Sequence, residues 1–403
     1  MKTIKLNTQS EVDAFVGTSI TGNLTIEGSD IDNLEPLSTL TSVSGDLFIQ
    51  YNNSLINLDG LGNLTSVGGD LKIWYNPTIT TFHGLGKLTS VGGVLFIQYN
   101  NSLINLDGFG NITSVGGGLV IDLNPALNNI AGLSSLTLVG GDLMIRHNPA
   151  LINLSGLSNI TSVGGFLNIG FNPALINLEG LGKLTSVGGN LRIWYNPSLT
   201  KLDGLRNLAS VAGGFVMYCC DSLTNLDGLS SLTSVGGNLW IRNNASLTSI
   251  DGLRNLTSVG GVLWLIHNPA LTNLDGLNNL TSLGGVIINF NASLTNIAGL
   301  SSLTLVGGDL LIRGNASLTD LDGLRNIASV GDLEIYNNPV LTNLNGLSNI
   351  TSVSGDLVIR NNDSLANLEW FDKPDLGGWG SLDREQSHTH QFGWVEQSNF
   401  GGW

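Results

Sequence analysis

The chain has 403 residues with a net charge of −15, carrying 16 Lys or Arg against 31 Asp or Glu, and 54 Gly. Only 12% is charged while 41% is apolar, enough for a core and too apolar for a disordered chain. The acidity excludes nucleic acid or an anionic membrane as main partner; the glycine content and low charge exclude a helical bundle, and no apolar run approaches the roughly 18 residues of a membrane span.

In chain order, Ile4, Lys5 and Leu6 read as a strand. Residues 10–16 read as a short helix with Ser10 at its N-cap and Val12, Phe15 and Val16 on one face. Residues 1–22 are therefore expected to form an N-terminal cap. Residues 1–20 hold no apolar segment followed by a small-residue cleavage site, so no secretory signal peptide is visible.

Residues 23–369 repeat themselves. LTSVGGDLKIWYNPTITTFHGLGK is followed by LTSVGGVLFIQYNNSLINLDGFGN, and variants continue almost to the end. The register is given by an Asn closing each L-x-I-x-x-N phrase, at Asn52, Asn76, Asn100, Asn124, Asn148, Asn172, Asn196, Asn244, Asn268, Asn291, Asn315, Asn338 and Asn362, with Cys220 in the one break. The period is 24, with two steps of 23 that both shorten the Gly-Gly turn. Leu71, Ile73 and Asn76 alternate with Lys72 and Trp74, the signature of a strand with one buried face. A unit this short cannot bury its own apolar positions, so the repeats must stack, about 4.8 Å apart, into a rod roughly 70 Å long. The expected fold is an all-β-rich solenoid of about fifteen right-handed coils. The repeated Asn is expected to form a structural ladder, because its side chain both donates and accepts and stacked copies can bond one another and the turning backbone. Cys220 reads as a small buried hydrophobe in a drifted coil; a redox pair with Cys219 is the sharper alternative.

L-x-I-x-x-N on this leucine-rich period resembles the leucine-rich-repeat superfamily, and the LTSVGGDLxI phrase resembles its receptor L-domain type, found in receptor ectodomains and bacterial surface proteins. The resemblance covers residues 22–368. It implies a parallel-stranded β-helix whose outward sheet is the ligand face.

The repeats are alike enough for their differences to be informative. Variation concentrates at the outward positions of the L-x-I strand and the residues just before the Asn. There lie Phe48, Gln50, Tyr51, Lys72, Trp74, Tyr75, Phe96, Tyr99, Arg146, His147, Arg192, Trp194, Tyr195, Tyr218, Trp240, Arg242, Trp264, His267, Arg313, Tyr336 and Arg360. All six Tyr, every Trp before the tail and six of the sixteen basic residues fall in these columns. Strands favour aromatics, but that does not explain why their type changes from coil to coil on a fixed frame. Tyr, Trp and Arg anchor interfaces, rings stack on sugars, and Arg pairs with carboxylates. These residues are the expected ligand-binding face, with a surface glycan or protein as partner.

Other columns carry weaker signals. A Thr ladder (Thr65, Thr89, Thr113 and onward) looks like some ice-binding surfaces, but a β-branched residue suited to a strand, its hydroxyl bonding along the ladder, is the plainer explanation. The Asp-Gly column (Asp59, Asp107, Asp203) is interrupted by Ala131 and Ser155, so no calcium shell repeats, and Asx-Gly turns account for it. No His stands in recurring nucleophile–base company and no phosphate-binding loop opens a helix, so neither catalysis nor a cofactor nor a metal is expected.

Residues 370–403 abandon the period and hold Trp370, Phe371, Trp379, Phe392, Trp394, Phe400 and Trp403 among glycines. They read as a cap over the last coil or as a docking tail for another subunit. His388 and His390 are too few for a metal site. The first expectation for function is a non-enzymatic recognition or adhesion protein at a cell surface, outside the cell or on a virion. Its rivals are a subunit of a fibre or virion appendage that self-associates through the tail or coil ends, and an ice-binding protein.

Overall fold

The computed structural model describes residues 2–366 and the backbone of the strand Gly380–Asp383. One repeat shows how the sequence becomes structure. Leu71–Trp74 is a strand, His83–Leu85 a single 3-10 turn and Ser90–Val91 a second, shorter strand. The alternation in LKIW sends Leu71 and Ile73 into the core, and Ile79, Phe82, Leu85, Leu88 and Val91 close the rest of the coil around them, each at most 1% exposed. No single coil encloses these side chains. They pack against the same positions of the coils before and after, as in any stacked repeat.

The long strands form one parallel, 17-stranded sheet. Equivalent residues pair without slippage: Leu71 with Leu95, Lys72 with Phe96, Ile73 with Ile97, Trp74 with Gln98. Outward columns of side chains therefore run along the whole rod. The short Ser-Val strands form an 11-stranded sheet ending at Ser258–Val259, then two separate pairs. The ladder breaks on entering each of the two coils that are one residue short.

The Asn ladder is buried and bonded throughout. Asn148 Nδ2 donates to the carbonyls of Ile121 and Arg146 at 3.0 and 2.7 Å, and its Oδ1 accepts from the Asn124 backbone N–H at 3.2 Å. The same pattern recurs at Asn76, Asn100, Asn172 and Asn338.

At the Asp-Gly column the turn-making side chain is the Asn two residues earlier and not the Asp: Asn57 Oδ1 accepts from the Asp59 backbone N–H at 3.1 Å. The glycine has a different reason. Among the described glycines only Gly22 and Gly314 have positive φ. A Cβ on Gly84 would lie 1.7 Å from the Leu58 carbonyl oxygen, so glycine is there to let one coil touch the next.

Lys2–Leu6 pairs in parallel with Gly22–Ile26 and opens the long sheet. The helix after it spans only Gln9–Asp13, and its N-cap is Thr8, whose Oγ1 accepts from the Glu11 N–H at 3.2 Å, rather than Ser10. Val12 is buried under the first coil, but the helix ends before Val16, which is 95% exposed. At the other end Gly380–Asp383 pairs in parallel with Asp356–Arg360 through an irregular register. The aromatic tail residues Trp370, Phe371, Trp379, Phe392, Trp394, Phe400 and Trp403 and the pair His388 and His390 lie outside the described residues.

Candidate functional site

The long sheet turns its outer face to solvent, and the residues expected to bind ligand stand on it. After the strand the alternation fails on purpose: Trp74 and Tyr75 both point outward before Asn76 returns to the core. The backbone allows this by turning left-handed at the second of the pair. Tyr51, Tyr75, Tyr99, Leu123, His147, Phe171, Tyr195, Cys219, Asn243, His267, Phe290, Asn337 and Asn361 all have φ between +50° and +58°. Asn and Gly take that conformation readily, whereas a bulky side chain there costs about 1–2 kcal/mol. The chain uses Asn243, Gly314, Asn337 and Asn361 in four coils, but Tyr, Phe or His at Tyr51, Tyr75, Tyr99, His147, Phe171, Tyr195, His267 and Phe290, with Leu123 and Cys219 in the other two.

Those aromatics form runs. Tyr51 stacks on Tyr75 (centroids 5.0 Å, planes 10° apart) and Tyr75 on Tyr99 (4.3 Å, 16°). Trp74 sits against Tyr51, Tyr75 and Phe96, and its indole N–H donates to Gln50 Oε1 at 2.6 Å. Lys72 lies over the Phe48 ring. A second run joins His147, Phe171 and Tyr195, stacked at 4.5 and 4.6 Å. Trp194 and Tyr218 complete it, the Trp194 N–H donating to the nine-tenths buried Asn168. Burial, then the nearby Tyr195, pushes the Tyr218 hydroxyl up to about 12, so it stays a hydrogen-bond donor at any physiological pH.

Within the Tyr51–Tyr75–Tyr99 and His147–Phe171–Tyr195 stacks the rings cover one another's faces, whereas Trp74, Trp194 and Tyr218 meet their neighbours tilted or edge-on. Sugar stacking, expected from the residue types, is hindered at the stacked rings and not at the two indoles. A groove of about 810 Å³ is lined by Tyr99, His147, Phe171, Tyr195 and Cys219 together with the prolines Pro125, Pro149, Pro173 and Pro197. Sequence reasoning missed those prolines. Phe171, Phe290 and Asp122 fall in the variable columns read from the sequence but were not singled out as ligand-binding; Asp122 is 3% exposed and held by Arg146 (2.9 Å), His147 (2.8 Å) and Gln98 (3.2 Å).

The remaining expected residues gather further along. Trp240 and Trp264 stack at 4.7 Å. His267 stacks on Phe290, the Arg313 guanidinium lies between Phe290 and Tyr336, and Arg360 lies over Tyr336. Arg242 lies over Tyr218, which ties this group to the second run. Arg192 stands exposed on the same sheet.

Cys220 is buried and Cys219 faces out, so the two thiols point to opposite sides of the wall; this corrects the redox-pair reading. Burial pushes Cys220 up to about 12 and also raises Cys219. The Thr ladder hydroxyls donate along the rod, Thr65 to the Thr41 carbonyl and Thr89 to the Thr65 carbonyl. A second Thr column, Thr248 to Thr342, does the same. Among the described residues no cluster of His, Cys, Asp and Glu is arranged to hold a metal, and no helix is long and apolar enough to cross a membrane.

Parallel strands of one residue pattern, stacked in register with an interior Asn ladder, decide the architecture. The chain has a leucine-rich-repeat fold. No family model matches it, and no curated protein does. Among solved structures, an internalin from Listeria monocytogenes is similar over 95% of this chain and 90% of its own, at 16% identity and TM-score 0.37. A leucine-rich-repeat protein of Leptospira interrogans is similar over 84% of this chain and 88% of its own, at 12% identity and TM-score 0.27. One from Bacteroides ovatus is similar over 77% and 82%, at 13% identity and TM-score 0.18. The leucine-rich-repeat assignment stands on the repeat geometry itself.

Proposed function

We propose that this leucine-rich-repeat protein is a non-enzymatic recognition protein that binds a glycan or protein on a surface through its outward sheet. The observation that carries this reading is the left-handed column. Tyr, Phe and His occupy positions where the backbone favours Asn or Gly, in coils whose interiors are otherwise interchangeable. Strained conformations of bulky residues persist where they serve contact. Tyr and Trp bring large area at low entropic cost, and Tyr51 and Tyr195 are 42% and 41% exposed. In this reading a rod of about fifteen right-handed coils stands outside the cell or on a virion.

The test is a cell-surface and glycan binding screen with the protein and with Trp74→Ala, Trp194→Ala and Trp264→Ala. Loss of binding in at least one variant with an unchanged melting temperature supports the reading; unchanged binding in all three removes it.

A further inference from the structure

The outward sheet carries a charge opposite to that of the molecule. Its variable columns hold six basic residues, Lys72, Arg146, Arg192, Arg242, Arg313 and Arg360, against two acidic ones, Asp122 and Glu334, while the whole chain is at −15. Asp122 is taken up by Arg146 and His147. Each half of the sheet holds three of these cations against one carboxylate, and in the C-terminal half Arg242, Arg313 and Arg360 share one column of the sheet.

These guanidiniums are held from the side by rings. Arg313 is 4.8 Å from the Phe290 centroid and 5.1 Å from that of Tyr336, and Arg242 is 5.7 Å from Tyr218. Ring contact occupies the guanidinium faces and leaves the N–H edge, the part that matches a carboxylate, for another partner. Among the described residues no carboxylate forms an ion pair with Arg242 or Arg313.

The polar atoms around them are also unanswered. Arg242 Nε, Arg313 Nε and the indole N–H groups of Trp240 and Trp264 lack hydrogen-bond partners, as do the Oδ1 atoms of Asn243 and Asn289. Asn289, next to Arg313 in the sheet, is only 8% exposed. The indoles of Trp74 and Trp194, which stand in the column of Arg242 and not in that of Trp240 and Trp264, are both bonded. Buried polar groups without partners are rare and call for a ligand, ion or water.

We propose that this stretch, centred on Arg242, Asn289 and Arg313, is a subsite for an acidic polysaccharide of the polyuronate class; the proposal deepens the recognition reading above and rests on it. Carboxylates meet the guanidinium edges and sugar hydroxyls meet the rest. The hydroxyls matter, because the orphaned atoms are of both kinds. A sugar hydroxyl donates as well as accepts, so one kind of group answers the Asn243 and Asn289 oxygens and the orphaned N–H groups alike.

The test is affinity electrophoresis of the full chain through polygalacturonate, hyaluronan, fully methyl-esterified polygalacturonate and poly-L-glutamate. Retardation is expected in at least one of the two polyuronates, weakening with salt, and lost on esterification. The double variant R242Q/R313Q should bind about tenfold more weakly, as expected for losing charge-assisted hydrogen bonds. R325Q, which removes an exposed cation paired with Asp322 away from the sheet, should bind as the unaltered chain does, with melting temperatures confirming that all forms are folded. No retardation by either polyuronate, equal binding of the ester, equal or tighter binding of poly-L-glutamate, or an unaffected double variant each overturns the proposal. The surface screen of the unaltered chain separates this failure from that of the broader reading: surface binding that survives without polyuronate binding removes this subsite alone, whereas loss of both removes the broader reading as well.

Discussion

The ring of Tyr75 lies face to face with that of Tyr99, centroids 4.3 Å apart and planes 16° from parallel, and both residues hold backbone φ near +55°. The stack and the strained backbone are coupled. The left-handed turn puts each ring at the edge of the sheet, and the coil spacing brings successive rings into van der Waals contact. Stacking returns about 0.5–1.5 kcal/mol per pair, comparable to the backbone penalty. Replacing Tyr99 alone by Asn should therefore leave the melting temperature within a few degrees of the parent, which calorimetry can check.

The interior ladder should be far less forgiving. Asn148→Ala removes the acceptor for the Asn124 N–H and the donor to the Ile121 and Arg146 carbonyls. Buried groups left unpaired cost about 1–3 kcal/mol each, so a loss of about 3 kcal/mol or more is expected in denaturant titration. Gly84→Ala should be at least as damaging, because the new methyl would overlap the Leu58 carbonyl.

Cys220 is the natural test of why the ladder uses Asn. Its thiol reaches the Ile193 and Tyr218 carbonyls only at 3.9 and 3.8 Å. Cys220→Asn should restore those bonds and stabilise by about 1 kcal/mol. In the parent, raised thiols imply slow alkylation by iodoacetamide at pH 8. Rapid modification of both cysteines in the folded protein would show that the wall opens there.

Much of the fold was legible in the sequence, and the reason is repetition. Leu71, Ile73 and Asn76 declare an inward face because the same positions recur in every coil, and register follows once the period is known. The helix end at Asp13 was not legible, since Val12, Phe15 and Val16 look equivalent until the chain turns away. The left-handed column escaped notice because Tyr, Phe and His are poor formers of that conformation. The signal was nevertheless present: Asn243, Gly314, Asn337 and Asn361 occupy the same column. That rings would cover each other's faces followed from coil spacing and side-chain direction together, which residue types alone do not carry.

Glu334 gives a pH-dependent check on the face. Burial raises its carboxyl, the neighbouring Asp332 adds to the rise, and Arg360 opposes it. A carboxyl held above its unfolded value favours the fold while protonated, and that contribution is lost as pH rises through the folded value. Ionised Glu334 is thus unfavourable at neutral pH. Glu334→Gln should raise the melting temperature at pH 7, and the advantage should vanish below about pH 4, near the unfolded carboxyl value.

The central claim is that aromatics on the left-handed column are kept for contact and not for the fold. The decisive measurement is a paired one on the triple variant Tyr75→Asn, Phe171→Asn and Tyr195→Asn: its melting temperature and its binding in the surface screen. The account predicts a melting temperature equal to the parent's or higher, since Asn relieves the backbone, together with lost binding. A large fall in melting temperature with binding retained would contradict it, and would make the column part of the scaffold.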